Sequence, residues 1–134
     1  TKDRKAAKNG WGRLKCEMVH AQGKAVWAGE GEGVGGVVVV LSSSPCCGQW
    51  EGTRLSAENK RQRWVPPGFA HGFLVLSDTA EFLYKTTDFY APQHECCLKW
   101  NDSAIGIEWP LQGAPLLSVK DQQGVSLQDA KKFD

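Results

Sequence analysis

Residues 63–87 read RWVPPGFAHGFLVLSDTAEFLYKTT, and the fold is decided in this stretch. Arg63-Trp64-Val65 reads as a strand. Pro66-Pro67-Gly68 stops it, because proline offers no N–H to a ladder and the Pro-Gly pair marks a turn. Gly72-Phe73-Leu74-Val75-Leu76 reads as the next strand, and Ser77-Asp78-Thr79 as a polar turn. Ala80 to Thr87 reads as a third strand, rich in aromatic and β-branched residues. Downstream, Cys97-Leu98-Lys99-Trp100 runs into the turn signal Asn101-Asp102. Ile105 to Trp109 alternates apolar and polar residues and ends at Pro110. Upstream, the valine run within Gly35 to Leu41 reads as a buried strand. The glycines from Gly29 to Gly33 before it suggest a loop or bulge. Helical signal is confined to Ala57–Gln62 and Leu127–Phe133. Short strands at this spacing predict an all-β sandwich or barrel of the jelly-roll kind with little helix.

Composition agrees with one globular domain. The 134 residues carry 41% hydrophobic and 23% charged side chains with a net charge of +1. That is enough chain to bury a core. The balance gives no general attraction to nucleic acid or to an anionic membrane. No apolar run approaches the ~18 residues that span a bilayer. Residues 1–8 are basic but precede no apolar segment, so they are not expected to act as a secretory signal. The cysteines Cys16, Cys46, Cys47, Cys96 and Cys97 are odd in number and mostly adjacent, without a C-x-x-C. They predict buried thiols in a reducing, cytoplasmic setting.

Several long words occur in order with plausible gaps. They are Leu55 to Gln62 (LSAENKRQ), Trp64 to Phe73 (WVPPGFAHGF), Ala80 to Thr87 (AEFLYKTT), Trp100-Asn101-Asp102 and Gly106 to Pro110 (GIEWP). Pro115 to Ser118 (PLLS) closes on Lys120-Asp121. Together they resemble the dTDP-4-dehydrorhamnose 3,5-epimerase family. The resemblance is strong over residues 49–134, persists in pieces from Ala21-Gln22-Gly23-Lys24 onward, and is poor over residues 1–20. It implies a cupin jelly roll, or double-stranded β-helix, spanning residues 1–134 as a single domain with a truncated or divergent N-terminal part. It also implies a homodimer and a dTDP-sugar substrate, with neither nucleic acid nor membrane as partner. The implied reaction is epimerisation at C3 and C5 of dTDP-4-dehydro-6-deoxyglucose on the way to dTDP-L-rhamnose. No cofactor is needed, since the C–H bonds beside the ketone are already weak acids.

Such a reaction needs a base on one face, a cation on the enolate oxygen, and an acid on the other face. By resemblance Tyr84 is the acid, and a phenol is a suitable proton donor. Lys24 is the enolate-holding cation. Asp121 is the carboxylate that orients the base, and Lys120 assists with the nucleotide's charge. His71 lines the sugar pocket, Phe89 and Tyr90 lie near the nucleotide base, and Arg13 binds phosphate. His71 also falls in Pro66-x-Gly68-x-x-His71, a cupin half-motif that elsewhere holds metal. The companion H-x-H is absent, and His20 and His94 cannot supply it by spacing, so no metal site is expected.

The family's base is a histidine just upstream of Ala-Gln-Gly-Lys. Here that position holds Lys15, or Leu14 in a longer loop, and the nearest histidine is His20. A lysine serves as base only where burial or a nearby cation favours its neutral form. The chain therefore reads either as an active isomerase using His20 or Lys15, or as a non-catalytic nucleotide-sugar-binding cupin that lacks the base.

Overall fold

A computed structural model describes residues 2–7, 11–17, 23–87, 95–111 and 114–130. Among the described residues nine strands make two antiparallel sheets. In chain order they are β1 (Lys2–Ala7), β2 (Trp11–Glu17), β3 (Lys24–Glu30), β4 (Glu32–Val39), β5 (Trp50–Ser56), β6 (Gln62–Val65), β7 (Phe69–Val75), β8 (Thr79–Thr86) and β9 (Glu95–Leu98). One sheet runs β1-β8-β3-β6 and the other β5-β4-β7-β2-β9. A single turn of helix, α1 (Val119–Gln122), comes after the strands. The all-β jelly roll that the resemblance implied is the fold.

Alternation along the strands sorts side chains between two apolar clusters. Between the sheets lie Val26, Ala28, Val37, Leu55, Val65, Phe73, Val75, Ala80 and Phe82. Phe73 and Phe82 stack across the gap with centroids 4.4 Å apart. On the outer face of the five-stranded sheet, Val38, Val40, Ala70, Leu74 and Leu98 are covered by Ile105, Leu127 and Ala130 from the C-terminal segment. That segment is held by Asp102, whose carboxylate accepts from Ala104 N at 2.9 Å and Leu127 N at 2.6 Å.

The glycine-rich stretch forms a tight corner rather than a broad loop, carrying the chain from β3 in one sheet to β4 in the other. Gly31, with φ of 71°, makes the turn, and a register irregularity between Ala28 and Glu30 is the expected bulge. Gly36 sits in the middle of β4, paired with Gly52 and Gly72 on either side. At Gly36 the missing side chain leaves a trough that Trp109 fills: a Cβ there would lie 2.6 Å from its Cη2. The glycines therefore weaken the strand intrinsically while making room for an aromatic anchor.

Several expectations are corrected. Ala57–Gln62 is not helical. Ser56 and Asn59 exchange side-chain-to-backbone hydrogen bonds, Asn59 Oδ1 also accepts from Arg61 N, and the chain turns into β6. Asn59 satisfies in a turn the groups a helix would have used. Leu127–Asp129 is likewise only a turn, and residues 131–133 of that expected helix lie outside the described residues. Ile105 to Trp109 buries alternate residues but pairs with no strand, so its periodicity reflects packing alone. Strands β7 and β9 each begin earlier than expected, at Phe69 and Glu95. Cys46, Cys47, Cys96 and Cys97 are thiols rather than disulfides, but Cys46 is exposed and the other three are half-buried rather than buried.

Candidate active site

Lys24 opens β3 and alternates inward with Val26 and Ala28. Its side chain is only 6% exposed. Its neighbours across the ladders are Val65 on β6 and Thr86 on β8. Gly23 fixes where the strand starts. Its N–H donates to Thr87 Oγ1 at 3.0 Å, its carbonyl accepts from Thr87 N, and the Trp64 ring closes over it.

Tyr84 pairs with Val26 on the same ladder. Partners in an antiparallel ladder share a face, so Tyr84 and Lys24 are diagonal neighbours on the inner face, typically about 7–8 Å apart at the backbone. Tyr84 packs against the inner cluster. Along β8 the inner-face residues grade outward. Ala80 and Phe82 are buried, Tyr84 is half-buried and Thr86 is exposed. Exposure thus rises along the inner row of β8 beyond Phe82, while Lys24 and Val65 on the neighbouring strands stay buried.

His71 reaches the inter-sheet space from the facing sheet. It alternates with Phe69, Phe73 and Val75, whose side chains belong to the inner cluster, and its Nε2 is buried. Residues 66–68 link Val65, the partner of Lys24, directly to Phe69, so His71 and Lys24 lie at the same end of the sandwich. Gly68, with φ of 87°, makes that corner. The row through His71 runs Glu51, Val37, His71, Lys15 and Cys97 across the five-stranded sheet.

Lys15 enters that row because β2 is bulged. Gly12 pairs with Phe73 and Lys15 with His71, so Arg13 and Leu14 together oppose one residue of β7. A bulge of this kind reverses the parity of the strand beyond it. It pairs Lys15, rather than Leu14, with His71, while Leu14 pairs with Leu98.

Asp121 lies on α1, which packs against β2 and β9. It is 2% exposed, and its Oδ1 is a buried atom. Ser118 caps the helix, accepting from Asp121 N at 3.2 Å and donating to Asp121 Oδ2 at 2.6 Å. Lys120 is exposed on the same turn. Arg13 sits in the β2 bulge. Phe89, Tyr90, His20 and His94 lie outside the described residues. Among the described residues no three metal-ligating side chains gather.

One charged contact was not foreseen. Arg63, the partner of Val26 on β6, points inward, whereas Trp64 beside it is 54% exposed. Its guanidinium donates to Thr53 Oγ1 and, at 3.0 Å, to Glu51 Oε2, closing the seam between β6 and β5. The inverted alternation of Arg63 and Trp64 was the available signal. Ser118 was legible only as part of its word, because nothing in the sequence distinguishes an orienting hydroxyl from an ordinary cap.

A family model described as dTDP-4-dehydrorhamnose 3,5-epimerase matches residues 14–129. An enzyme of that name from Pseudomonas aeruginosa is 59% identical over 120 residues, covering 90% of this chain and 66% of the relative. One from Salmonella typhimurium is 53% identical over 111 residues, covering 83% and 61%. The chain thus spans less than two thirds of the length of these curated relatives. A crystal structure of dTDP-6-deoxy-D-glucose-3,5-epimerase from Legionella pneumophila, in complex with dTDP-4-keto-L-rhamnose, is similar with a TM-score of 0.92 and 40% identity, covering 98% of this chain and 71% of that one. A 3'-monoepimerase from Streptomyces bikiniensis in complex with dTDP-quinovose is similar with a TM-score of 0.87 and 28% identity, covering 96% and 66%.

Proposed function

This chain belongs to the dTDP-4-dehydrorhamnose 3,5-epimerase family, and from that premise we propose that it epimerises C3 and C5 of dTDP-4-dehydro-6-deoxyglucose, leading to dTDP-L-rhamnose. The observation that carries the reading is the shared inner face of Lys24 and Tyr84 at one end of the sandwich. The sugar ketone occupies the space between the sheets. The Lys24 ammonium holds the oxygen that becomes the enolate. A low-dielectric surrounding makes that ion–ion contact far stronger than it would be in water. Tyr84 then returns a proton from its phenol to the carbon. His71 lines the opposite wall, facing the sugar.

The base withdraws the proton from the face opposite Tyr84, and Asp121 orients it. Lys15 is the candidate that the register supports, since it pairs with His71 on the sheet facing Tyr84 and α1 packs on its strand. An amine working there requires burial or a neighbouring cation to favour its neutral form. Arg13 and Lys120 serve the diphosphate, and Phe89 and Tyr90 the thymine ring. No redox or metal cofactor enters the scheme, because enolisation beside a ketone only moves protons.

The chain works as a homodimer in the cytoplasm. The outer face of the four-stranded sheet, with exposed Trp64 beside half-buried Trp27 and Leu83, is the surface available for pairing. No helix among the described residues is long and apolar enough to cross a membrane. Sedimentation analysis tests the dimer. The reaction is tested by incubating the purified chain with the keto sugar in deuterium oxide and following C3 and C5 by proton NMR. Deuterium at both positions supports the double epimerase. Deuterium at one position reduces it to a monoepimerase. Binding of dTDP with no exchange leaves a nucleotide-sugar-binding cupin.

A further inference from the structure

Asp121 has a partner whose geometry goes beyond helix capping. We infer that Ser118 is a positioning residue of the active site, holding the Asp121 carboxylate in the one orientation that serves the base. The inference rests on the proposed role of Asp121.

The Ser118 hydroxyl does two things at once. It accepts from Asp121 N at 3.2 Å, as any serine cap does, and donates its proton to Asp121 Oδ2 at 2.6 Å. A 2.6 Å contact lies in the range of charge-assisted O–H···O⁻ bonds, the stronger class. With Oδ2 held by Ser118, the buried second oxygen, Oδ1, is the one that serves the base. A carboxylate only 2% exposed cannot rely on water to hold its rotamer or to stabilise its charge.

The helix cannot do this alone. It is four residues long, far below the length at which helices hold themselves together. The turn is fixed from outside. Gln122 N donates to Ser118 O at 3.0 Å, and beyond the helix Val125 N donates to Cys97 O at 2.8 Å while Lys99 N donates to Val125 O at 2.9 Å. Gly124 seats the backbone against β9, since a Cβ there would lie 2.7 Å from Leu98 O. These bonds fix the backbone of Asp121. The bond from Ser118 fixes the rotation of its carboxyl group.

The test separates orientation from capping. Ser118→Gly keeps a tolerable N-cap but removes the donor, and Ser118→Thr keeps both. The readouts are thermal midpoint, dTDP affinity, and the pH profile of kcat/KM for solvent deuterium exchange. Ser118→Gly is expected to keep its midpoint within a few degrees and to bind dTDP as the parent does, while kcat falls about ten- to hundredfold, the rate equivalent of one hydrogen bond to a charged group. The acidic limb of the profile moves to lower pH, because a misdirected carboxylate no longer favours the protonated base. Ser118→Thr restores both rate and limb. The inference is overturned if Ser118→Gly exchanges at the parental rate, or if its loss of rate comes with a lower midpoint and an unmoved limb, which is a structural role. Asp121→Asn separates the two layers. Parental exchange in that variant refutes the role of Asp121 itself, and Ser118 falls with it. An Asp121→Asn defect beside an intact Ser118→Gly refutes Ser118 alone.

Discussion

The Gly36 trough seats Trp109 of the C-terminal segment on the five-stranded sheet, and the energetics of that contact can be worked out. An alanine Cβ at residue 36 would lie 2.6 Å from Trp109 Cη2 and 3.2 Å from Cζ2, and the nearest atoms it meets all belong to that ring. Overpacking of this kind costs about 1–3 kcal/mol. Removing glycine from a strand returns about 0.5–1 kcal/mol through the unfolded chain. The net expectation for Gly36→Ala is a loss of about 1.5 kcal/mol, or about 5 °C in thermal midpoint for a chain of this size. Trp109→Leu removes the obstacle. It also forfeits the hydrogen bond from Trp109 Nε1 to Trp100 O at 3.1 Å, and destabilises on its own. In that background Gly36→Ala has nothing to strike and is expected to stabilise by about 0.5 kcal/mol, so the two substitutions couple by about 2 kcal/mol. Urea denaturation of the parent, the two single variants and the double variant measures this coupling. Additive losses would mean that Trp109 does not fill the trough, and the docking of the C-terminal segment would need another explanation.

Particular contacts set three further outcomes. Phe82→Ala removes a ring that is 1% exposed and stacked on Phe73, and is expected to cost about 3–5 kcal/mol in chemical denaturation; a loss below about 1 kcal/mol would contradict the inter-sheet core. Asp102→Ala leaves the N–H groups of Ala104 and Leu127 without their carboxylate; hydrogen exchange at the Leu127 amide should speed up sharply, and stability should fall by about 2 kcal/mol. Arg63→Leu breaks a pair whose Glu51 partner is 71% exposed, so stability should change by no more than about 1 kcal/mol; a collapse on denaturation would show that the seam between β5 and β6 depends on charge.

How far the sequence could be read depended on what each stretch had to bury. Strands β6 to β8 were legible because proline, glycine and a polar turn separate runs that bury alternate residues. Strand β3 was hidden because its inward row begins with Lys24, a buried charge in a place where alternation leads one to expect an aliphatic residue. Strand β5, WEGTRLS, faces inward with Glu51 and Thr53 before Leu55, so its pattern reads as polar. Ile105 to Trp109 misled in the opposite sense, since it alternates against an existing surface rather than within a ladder. Of the residues that the words single out, Tyr84 and Lys24 share the inner face of one sheet, and His71 lies on the sheet that faces it. The register of β2 could not be read. One extra residue at Arg13-Leu14 decides whether lysine or leucine opposes His71, and local sequence does not encode that choice.

The proposed chemistry requires Lys24 and Tyr84 to act on one ketosugar, and solvent deuterium exchange into dTDP-4-dehydro-6-deoxyglucose, followed together with inversion at the exchanging carbons, measures this most directly. Lys24→Met keeps the length and apolar fit of the stem and removes the charge. Tyr84→Phe removes only the hydroxyl. Lys24→Met is expected to lower both exchange and inversion at the exchanging carbons about 10²- to 10³-fold, and Tyr84→Phe to lower inversion likewise while the base still exchanges the proton on its own face, with the thermal midpoint retained in both. Because both act on the same enolate, inversion in the double variant should be little slower than in the worse single one. Parental inversion in either single variant, or inversion losses that multiply in the double one, would contradict that joint role.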